Sequence, residues 1–210
     1  MDLESPLRTI ASSVEAEVLR VLAGADADFS SSQVHRLIES ASPYGVRKAL
    51  ARLADSGLVL SSAQGSWALW RGNRDHILWP SVELAVDARR ELLSRLRGQF
   101  AEHNELLVYL YGSFARRSAT PESDIDILIV YPDDVEHDAL VDFAHDLSQQ
   151  VLAWTGNQGH VNNVTRSWLR AAIDGGDSVV MSIRQDAVAL IGPEFEQLIR
   201  ALRAEGAPHV

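Results

Sequence analysis

The chain has 210 residues, of which 46% are hydrophobic and none is cysteine, and its formal net charge is −10. This length fits one large or two small domains, and the absence of cysteine excludes disulfides and thiolate metal ligands. No apolar run approaches the roughly 18 residues of a membrane-spanning helix, so we expect a cytoplasmic protein that does not enter a membrane.

Residues 1–75 predict three helices followed by a β-hairpin. The first helix begins after Ser12, which forms an S-x-x-E capping box with Glu15, and the second follows the serines at 30–32. Ser42-Pro43 marks the start of the third helix, because proline is tolerated at the first helical position. Strand-like segments then follow at 59–61 and 67–70, separated by a glycine turn.

The third helix has one cationic face. Val46, Leu50 and Leu53 recur at helical spacing toward the core, whereas the opposite positions are polar or basic.

The residue order and the stretch at 53–59 resemble the winged helix-turn-helix of bacterial transcription regulators over residues 8–75. The resemblance implies that the third helix enters the DNA major groove and that the hairpin contacts the backbone. The implied DNA contacts are Tyr44, Arg47, Lys48, Arg52 and Arg71. The alternative is that these side chains are only the solvated face of a helix, since this part of the chain has a net charge of −1 (8 basic and 9 acidic residues).

A connecting segment over residues 76–100 follows. The apolar positions between Ser81 and Gly98 predict a single helix that ends at the glycine. We therefore divide the chain into a domain at 1–75, a connecting helix at 76–100 and a second domain at 101–210.

The second domain opens with an apolar strand at 106–111 that ends at Gly112-Ser113. A short helical turn at 114–117 and a loop lead to a second apolar strand at 124–130. Alternate strand residues point the same way, so Asp124 and Asp126 lie about 7 Å apart on one face and are able to bind one hard cation. Glycine at a strand-to-helix turn also lets the backbone approach a phosphate.

The segments Leu110–Arg117 and Ser123–Ile129 resemble the sequence signature of DNA polymerase β-like nucleotidyltransferases, in particular that of the minimal bacterial members. The resemblance implies that Asp124 and Asp126 are catalytic residues that bind Mg²⁺ or Mn²⁺. It also implies a reaction in which an incoming hydroxyl displaces pyrophosphate from a nucleoside triphosphate. ATP is the first candidate for this nucleotide. The implied nucleotide contacts are Gly112, Ser113, Arg116, Arg117 and Ser123. For both arginines the alternative is an ordinary surface position.

The remainder of the chain completes a small mixed sheet flanked by helices. We predict a helix at 135–154, strands at 160–165 and 178–183, a strand or turn at 186–192, and a final helix from Pro193 to about Ala204. The predicted fold class is α/β (α+β), with an N-terminal winged helix-turn-helix followed by a nucleotidyltransferase fold.

One position departs from the family pattern. The resemblance implies a third carboxylate on the strand at 160–165. Our alignment puts Asn163 there as a metal ligand, with Asn162 as the alternative by one residue. An amide stays neutral and cannot act as a general base. Asp174 or Asp177 is a further candidate from a nearby loop.

The sequence is consistent with three functions. The chain is a nucleotidyltransferase, or a nucleotide-sensing transcription regulator that has lost transfer activity, or the antitoxin of a toxin-antitoxin pair, a role that minimal members of the family often have. The partners considered are a nucleoside triphosphate, DNA, a toxin or other protein acceptor, and a second copy of the chain. Lys48 is the only lysine among 19 basic residues, a bias that indicates a bacterial genome rich in GC.

Overall fold

The computed structural model of the chain describes residues 1–38, 41–103, 105–135 and 137–204, apart from the side chains of 137–139. These residues form two compact units. The N-terminal unit consists of Asp2 and Glu4–Glu91, and the C-terminal unit of Met1, Leu3 and the chain from Leu92 onward. Both units combine helices with a small sheet, which confirms the α/β class. None of the described helices has the length and apolar character needed to cross a membrane.

The N-terminal unit has the predicted order of helices and hairpin, with one additional short strand. After a 3-10 turn at Pro6–Thr9, its elements are α1 (Ser13–Ala23), β1 (Phe29–Ser30), α2 (Ser31–Arg36), α3 (Pro43–Asp55), β2 (Val59–Gln64), β3 (Trp67–Gly72) and α4 (Trp79–Val86). The central strand β3 pairs antiparallel with both β1 and β2. The interpretation of this unit as a winged helix stays a prediction.

A capping box is present in this unit, but at another helix than predicted. The Ser12 side chain makes no cap, because its hydroxyl donates to the Glu15 carboxylate instead. At α2 the Ser30 hydroxyl accepts the backbone N–H of Gln33, and the Gln33 side chain accepts the backbone N–H of Ser30. The reciprocal pair satisfies two N–H groups at the start of the helix.

The predicted single helix at 81–98 is wrong. The chain forms α4 and then α5 (Ala88–Gln99), with a break at Asp87, where φ is −89° and ψ is 8°. Aspartate is a weak helix former because its carboxylate competes for nearby hydrogen-bond donors. Here the Asp87 carboxylate pairs with Arg90.

The C-terminal unit is built on a four-stranded mixed sheet in the order β6-β5-β4-β7. Strands β5 and β6 are parallel, and β4 pairs antiparallel with β5 and β7. The elements are β4 (Leu107–Tyr111), α6 (Gly112–Ala115), β5 (Ile125–Tyr131), α7 (His137–Thr155), β6 (Gly159–Thr165), α8 (Arg166–Asp174), α9 (Ser178–Asp186), β7 (Val188–Ile191) and α10 (Phe195–Ala204).

The strand predicted at 178–183 is also wrong, because this segment forms α9. The Asp177 carboxylate accepts the backbone N–H groups of Val179 and Val180 and so caps the helix. Val180 and Ile183 are buried three residues apart, which is a helical and not an alternating pattern.

Both faces of β5 are covered. Ile125, Ile127 and Ile129 belong to the core that includes α5 and α7, whereas Leu128 and Val130 belong to the core formed with α8, α9 and α10. Side chains alternate between the faces, so Asp126 lies on the Leu128 side, at the end of the sheet.

Candidate functional site

Asp126 is the centre of the candidate site. In the strand register it pairs with Tyr111 of β4 and His160 of β6. Directly paired residues of neighbouring strands point to the same face of a sheet, so these three side chains lie on one face. The Asp126 side chain is 25% exposed, while its neighbours Ile125 and Ile127 are fully buried. The buried neighbours fix the strand and leave the carboxylate accessible at its end.

The glycine turn lies directly against this carboxylate. Gly112 follows β4 with a φ of 73°, in the region that favours glycine. A Cβ atom added at Gly112 would lie 2.1 Å from Asp126 Oδ2, far inside van der Waals contact. Any side chain at position 112 would therefore displace the carboxylate. The predicted phosphate turn and the predicted cation ligand are adjacent.

Asp124 and His160 lie beside Asp126. His160 Nδ1 is 3.5 Å from Asp124 Oδ2 and 3.7 Å from Asp126 Oδ1. His160 therefore lies within electrostatic reach of both carboxylates. No local motif in the sequence marks His160, because its position depends on the parallel register of β5 and β6.

The electrostatic surroundings disfavour a charged Asp126. Burial is the largest cause, and it raises the pKa of this carboxyl above its ordinary value of 3.8. The like charges of Asp124 and Asp186 raise this pKa further, whereas His160 and Arg116 act in the opposite direction. A divalent cation would offset the repulsion between the carboxylates.

The donor set fits a hard cation that is shared with a ligand. Carboxylate oxygens are preferred by Mg²⁺ and Mn²⁺, and Mg²⁺ is commonly held by one or two carboxylates together with substrate phosphates and water. In the part of the chain that the structure describes, no group of three or more His, Asp or Glu side chains is arranged to hold a metal ion. If an ion binds at this site, Asp124 and Asp126 supply its carboxylate ligands and leave the other positions to phosphate and water.

The two asparagines of β6 lie on opposite faces of the sheet. Asn162 is on the Asp126 face, and its Nδ2 donates to the Tyr111 hydroxyl at 2.6 Å. Asn163 is on the other face, where its Nδ2 donates to the Leu140 carbonyl at 2.9 Å. Asn162 therefore shares the Asp126 face of β6 and Asn163 lies on the other face, although both asparagines line the cleft described below.

The two acids considered as substitutes for that carboxylate have other partners. Asp177 caps α9, and Asp174 lies 4.0 Å from Arg170 Nε in an exposed ion pair. Neither side chain contacts Asp126 in the described residues. Neither acid therefore adds a third carboxylate to Asp124 and Asp126.

The remaining predicted nucleotide contacts differ in their surroundings. Ser113 lies in the α6 turn and is partly exposed. Arg116 forms an ion pair with Asp186, and Arg117 is exposed with a φ of 57° and no ion pair among the described residues. The Ser123 hydroxyl accepts the backbone N–H of Thr120 at 2.8 Å, so it stabilises the loop before β5.

An open cleft of about 530 Å³ extends from the site between β6 and α7. Asp126, His160 and Asn162 line the end that contains the predicted metal ligands, and His145 and Ser148 line the α7 side. The cleft leaves space next to the carboxylates for a substrate.

The predicted DNA contacts of the N-terminal unit fall into two groups. Tyr44, Arg47 and Lys48 are exposed on α3, with Tyr44 70% exposed, and neither cation has an ion pair among the described residues. Two other cations are paired with acids: Arg52 with Glu15, and Arg71 with Asp26, whose carboxylate is 2.7 Å from Arg71 Nη2. The second group has less charge available for phosphate.

Comparisons with known proteins bear on the C-terminal unit. Three solved structures are similar over 54–56% of this chain and 85% of the other chain. They are a toxin-antitoxin complex with AMP-PNP (20% identity, TM-score 0.38), the toxin-antitoxin pair MntA-HepT (18% identity, TM-score 0.36), and a tri-AMPylated Shewanella oneidensis HEPN toxin with MNT antitoxin (14% identity, TM-score 0.35). At these identities and TM-scores the similarity carries no inference about substrate or partner. No curated protein matches the chain. The family model described as "Nucleotidyltransferase domain" matches residues 91–190, and this part of the chain is therefore a nucleotidyltransferase domain.

Proposed function

We propose that the C-terminal unit binds a nucleoside triphosphate with Mg²⁺ or Mn²⁺ and transfers a nucleoside monophosphate to a hydroxyl group. ATP is the first candidate for the nucleotide. The observation that supports this proposal is the contact between the Gly112 backbone and the Asp126 carboxylate, because it joins a turn suited to phosphate to a side chain suited to a cation. Asp124 supplies the second carboxylate.

The chain's own groups would have distinct tasks in this reaction. A bound divalent ion supplies charge neutralisation at the phosphates. The Gly112-Ser113 turn would hold the triphosphate so that the acceptor oxygen forms a bond to the α-phosphorus while the bond to the bridging oxygen breaks and pyrophosphate leaves. The proton of the acceptor hydroxyl would pass to solvent water. The cleft between β6 and α7 would hold the acceptor. Asp126 also lines this cleft, next to the place where the new bond would form.

Asn162 favours a second candidate function. A neutral amide on the Asp126 face is unable to take the proton of the acceptor hydroxyl, although two carboxylates remain to bind a cation. In this alternative the nucleotide is bound without turnover, and the unit acts as a sensor for a regulator. The antitoxin function stays a further prediction, since no described residue of this chain favours it specifically.

For the N-terminal unit we propose DNA binding through α3. The support is the exposed group Tyr44, Arg47 and Lys48, which offers two cations and an aromatic ring on one helix. Cations on an exposed helix face are suited to phosphate contacts, which supply most of non-specific DNA affinity.

The test combines binding with transfer. Purified full-length chain is mixed with Mg²⁺ and labelled ATP, GTP, CTP or UTP, and calorimetric binding is compared with label transfer to itself, RNA and cell extract. Asp124→Asn is the site variant, and Asp142→Asn, which changes an exposed acid on α7, is the matched control. Transfer that is lost only in Asp124→Asn supports the enzyme, and binding without transfer that is lost in the same variant supports the sensor. If the parent does neither, the proposed function is wrong.

A further inference from the structure

Asp186 is a buried acid next to the site that the functions above leave unexplained. Its side chain is only 8% exposed, and it is the last residue of α9. The carboxyl end of a helix disfavours negative charge, and burial disfavours it further. A charged side chain in such a position requires a compensating partner.

The partner of Asp186 is Arg116. Asp186 Oδ2 pairs with Arg116 Nη1, while Asp186 Oδ1 is buried and has no hydrogen-bond partner in the described part of the chain. Helices α6 and α9 pack against each other, which brings the pair together across 70 residues of sequence. Arg116 is thus the only described group that compensates this carboxylate.

Arg116 retains hydrogen-bonding capacity beyond this pair. It directly follows α6, the turn that begins with Gly112 and Ser113, and its side chain is 54% exposed. A guanidinium group has five N–H donors in a planar fork, so one carboxylate contact leaves others available for phosphate oxygens.

We propose that Asp186 is a positioning residue that orients Arg116 so that its free N–H groups bind the terminal phosphates of the nucleotide at the Gly112-Ser113 turn. The inference rests on the proposed function and assigns a role that no sequence motif indicated. A guanidinium group held in place by a buried carboxylate loses less rotational freedom on binding than a free arginine, which strengthens the phosphate contact. Asp186 itself would touch neither phosphate nor metal.

The test compares ATP with AMP, because AMP lacks the terminal phosphates. Dissociation constants for both nucleotides with Mg²⁺ are measured on the full chain, Asp186→Asn, Arg116→Ala and the double variant. We expect either single substitution to weaken ATP binding roughly 10- to 100-fold and AMP binding less than about 2-fold, since a hydrogen bond to a charged group is lost only with ATP. The double variant should be no weaker than Arg116→Ala alone.

The matched control is Glu196→Gln, which breaks another acid-arginine pair of the same unit, with Arg184, and should retain both affinities. Circular dichroism and thermal unfolding establish that each variant is folded. If Asp186→Asn weakens ATP and AMP equally, or if the two substitutions add independently, Asp186 has only a structural role and the inference fails. If the parent binds no ATP with Mg²⁺, the proposed function fails and the inference with it.

Discussion

Gly112 and Asp126 are in such close contact that position 112 has no room for a side chain. A Cβ atom there would lie 2.1 Å from the Asp126 Oδ2 atom and 3.1 Å from its Cγ. Gly112 begins α6 directly after β4 and Asp126 lies in β5, and the contact holds the carboxylate beside the backbone turn. The glycine therefore has two requirements to meet, a positive φ and an empty Cβ position.

The first prediction separates these two requirements. A non-glycine residue in a left-handed conformation costs about 1–2 kcal/mol. Gly112→Ala should lower the free energy of unfolding by more than this, because the Asp126 carboxylate must also move. We expect ATP affinity with Mg²⁺ to fall at least about 10-fold. Urea denaturation and calorimetry measure the two effects.

Gly176→Ala is the control for this prediction. Gly176 has a φ of 69°, and a Cβ atom there meets nothing within 4 Å. Its substitution should show only the cost of backbone strain and leave nucleotide affinity unchanged. Equal effects of the two substitutions on ATP binding would contradict a specific role of the Gly112 contact.

The second prediction concerns the two asparagines of β6. Asn162→Asp adds a carboxylate on the Asp126 face. It should raise the rate of nucleotide transfer about 10²-fold over the parent, which is the lower end of the contribution of a general base. Asn163→Asp adds the same charge on the opposite face and should give no gain, and loss of the bond to Leu140 should lower its stability. Single-turnover transfer of labelled ATP is the measurement. A gain with Asn163→Asp and none with Asn162→Asp would overturn our placement of the third ligand position.

The third prediction is a pH effect of Asp126. Burial and the neighbouring carboxylates raise its pKa in the folded state, so its stabilising contribution is present below the ordinary value of 3.8 and is lost as the pH rises through the folded pKa. At pH 7 the ionised side chain therefore destabilises the metal-free protein. Asp126→Asn should raise the urea midpoint at pH 7 with EDTA present, and the advantage should shrink as the pH falls toward 3.8.

Asp133 provides a control of opposite sign. Hydrogen bonds from the Ser167 side chain and backbone lower the pKa of Asp133, so its contribution is present above 3.8 and is lost in acid. Asp133→Asn should lower the urea midpoint at pH 7, with a difference that disappears below the folded pKa. If both substitutions change the midpoint in the same direction at pH 7, the assigned cause of the Asp126 shift is wrong.

The fourth prediction tests DNA binding by the N-terminal unit. Arg47→Ala and Lys48→Ala should each reduce the slope of log affinity against log salt by about 0.9 for duplex DNA, since each removes one phosphate contact. Arg71→Ala should reduce the slope less, because Asp26 already pairs with this side chain. Fluorescence anisotropy at several salt concentrations gives the slopes. A parent protein without affinity for duplex DNA at low salt would refute the proposal for this unit.

Several elements of the C-terminal unit could be predicted from short stretches of chain. The apolar run before Gly112 and the one that includes Asp126 form strands β4 and β5, because continuous apolar segments fit the interior of a covered sheet. The segment at 178–183 was wrong, because a short apolar run fits either a strand or a buried helix. The Asp177 cap decided for the helix.

The face of the sheet on which the proposed third ligand lies could not be predicted by the same reasoning. Alternate residues of a strand point to opposite faces, so an error of one residue exchanges the two sides of a sheet. The motif alone left Asn162 and Asn163 open, and only the register of β6 against β5 placed Asn162 beside Tyr111.

Local signals were thus sufficient for the glycine turn, the pair Asp124 and Asp126, and the α/β class, since turn residues and strand periodicity act over a few neighbouring positions. The positions of His160, Asn162 and Asp186 beside this motif could be seen only in the folded chain. These residues lie far from the motif in sequence and reach it through strand register and helix packing. Such contacts depend on how distant segments bury their apolar faces together, and no local pattern encodes that arrangement.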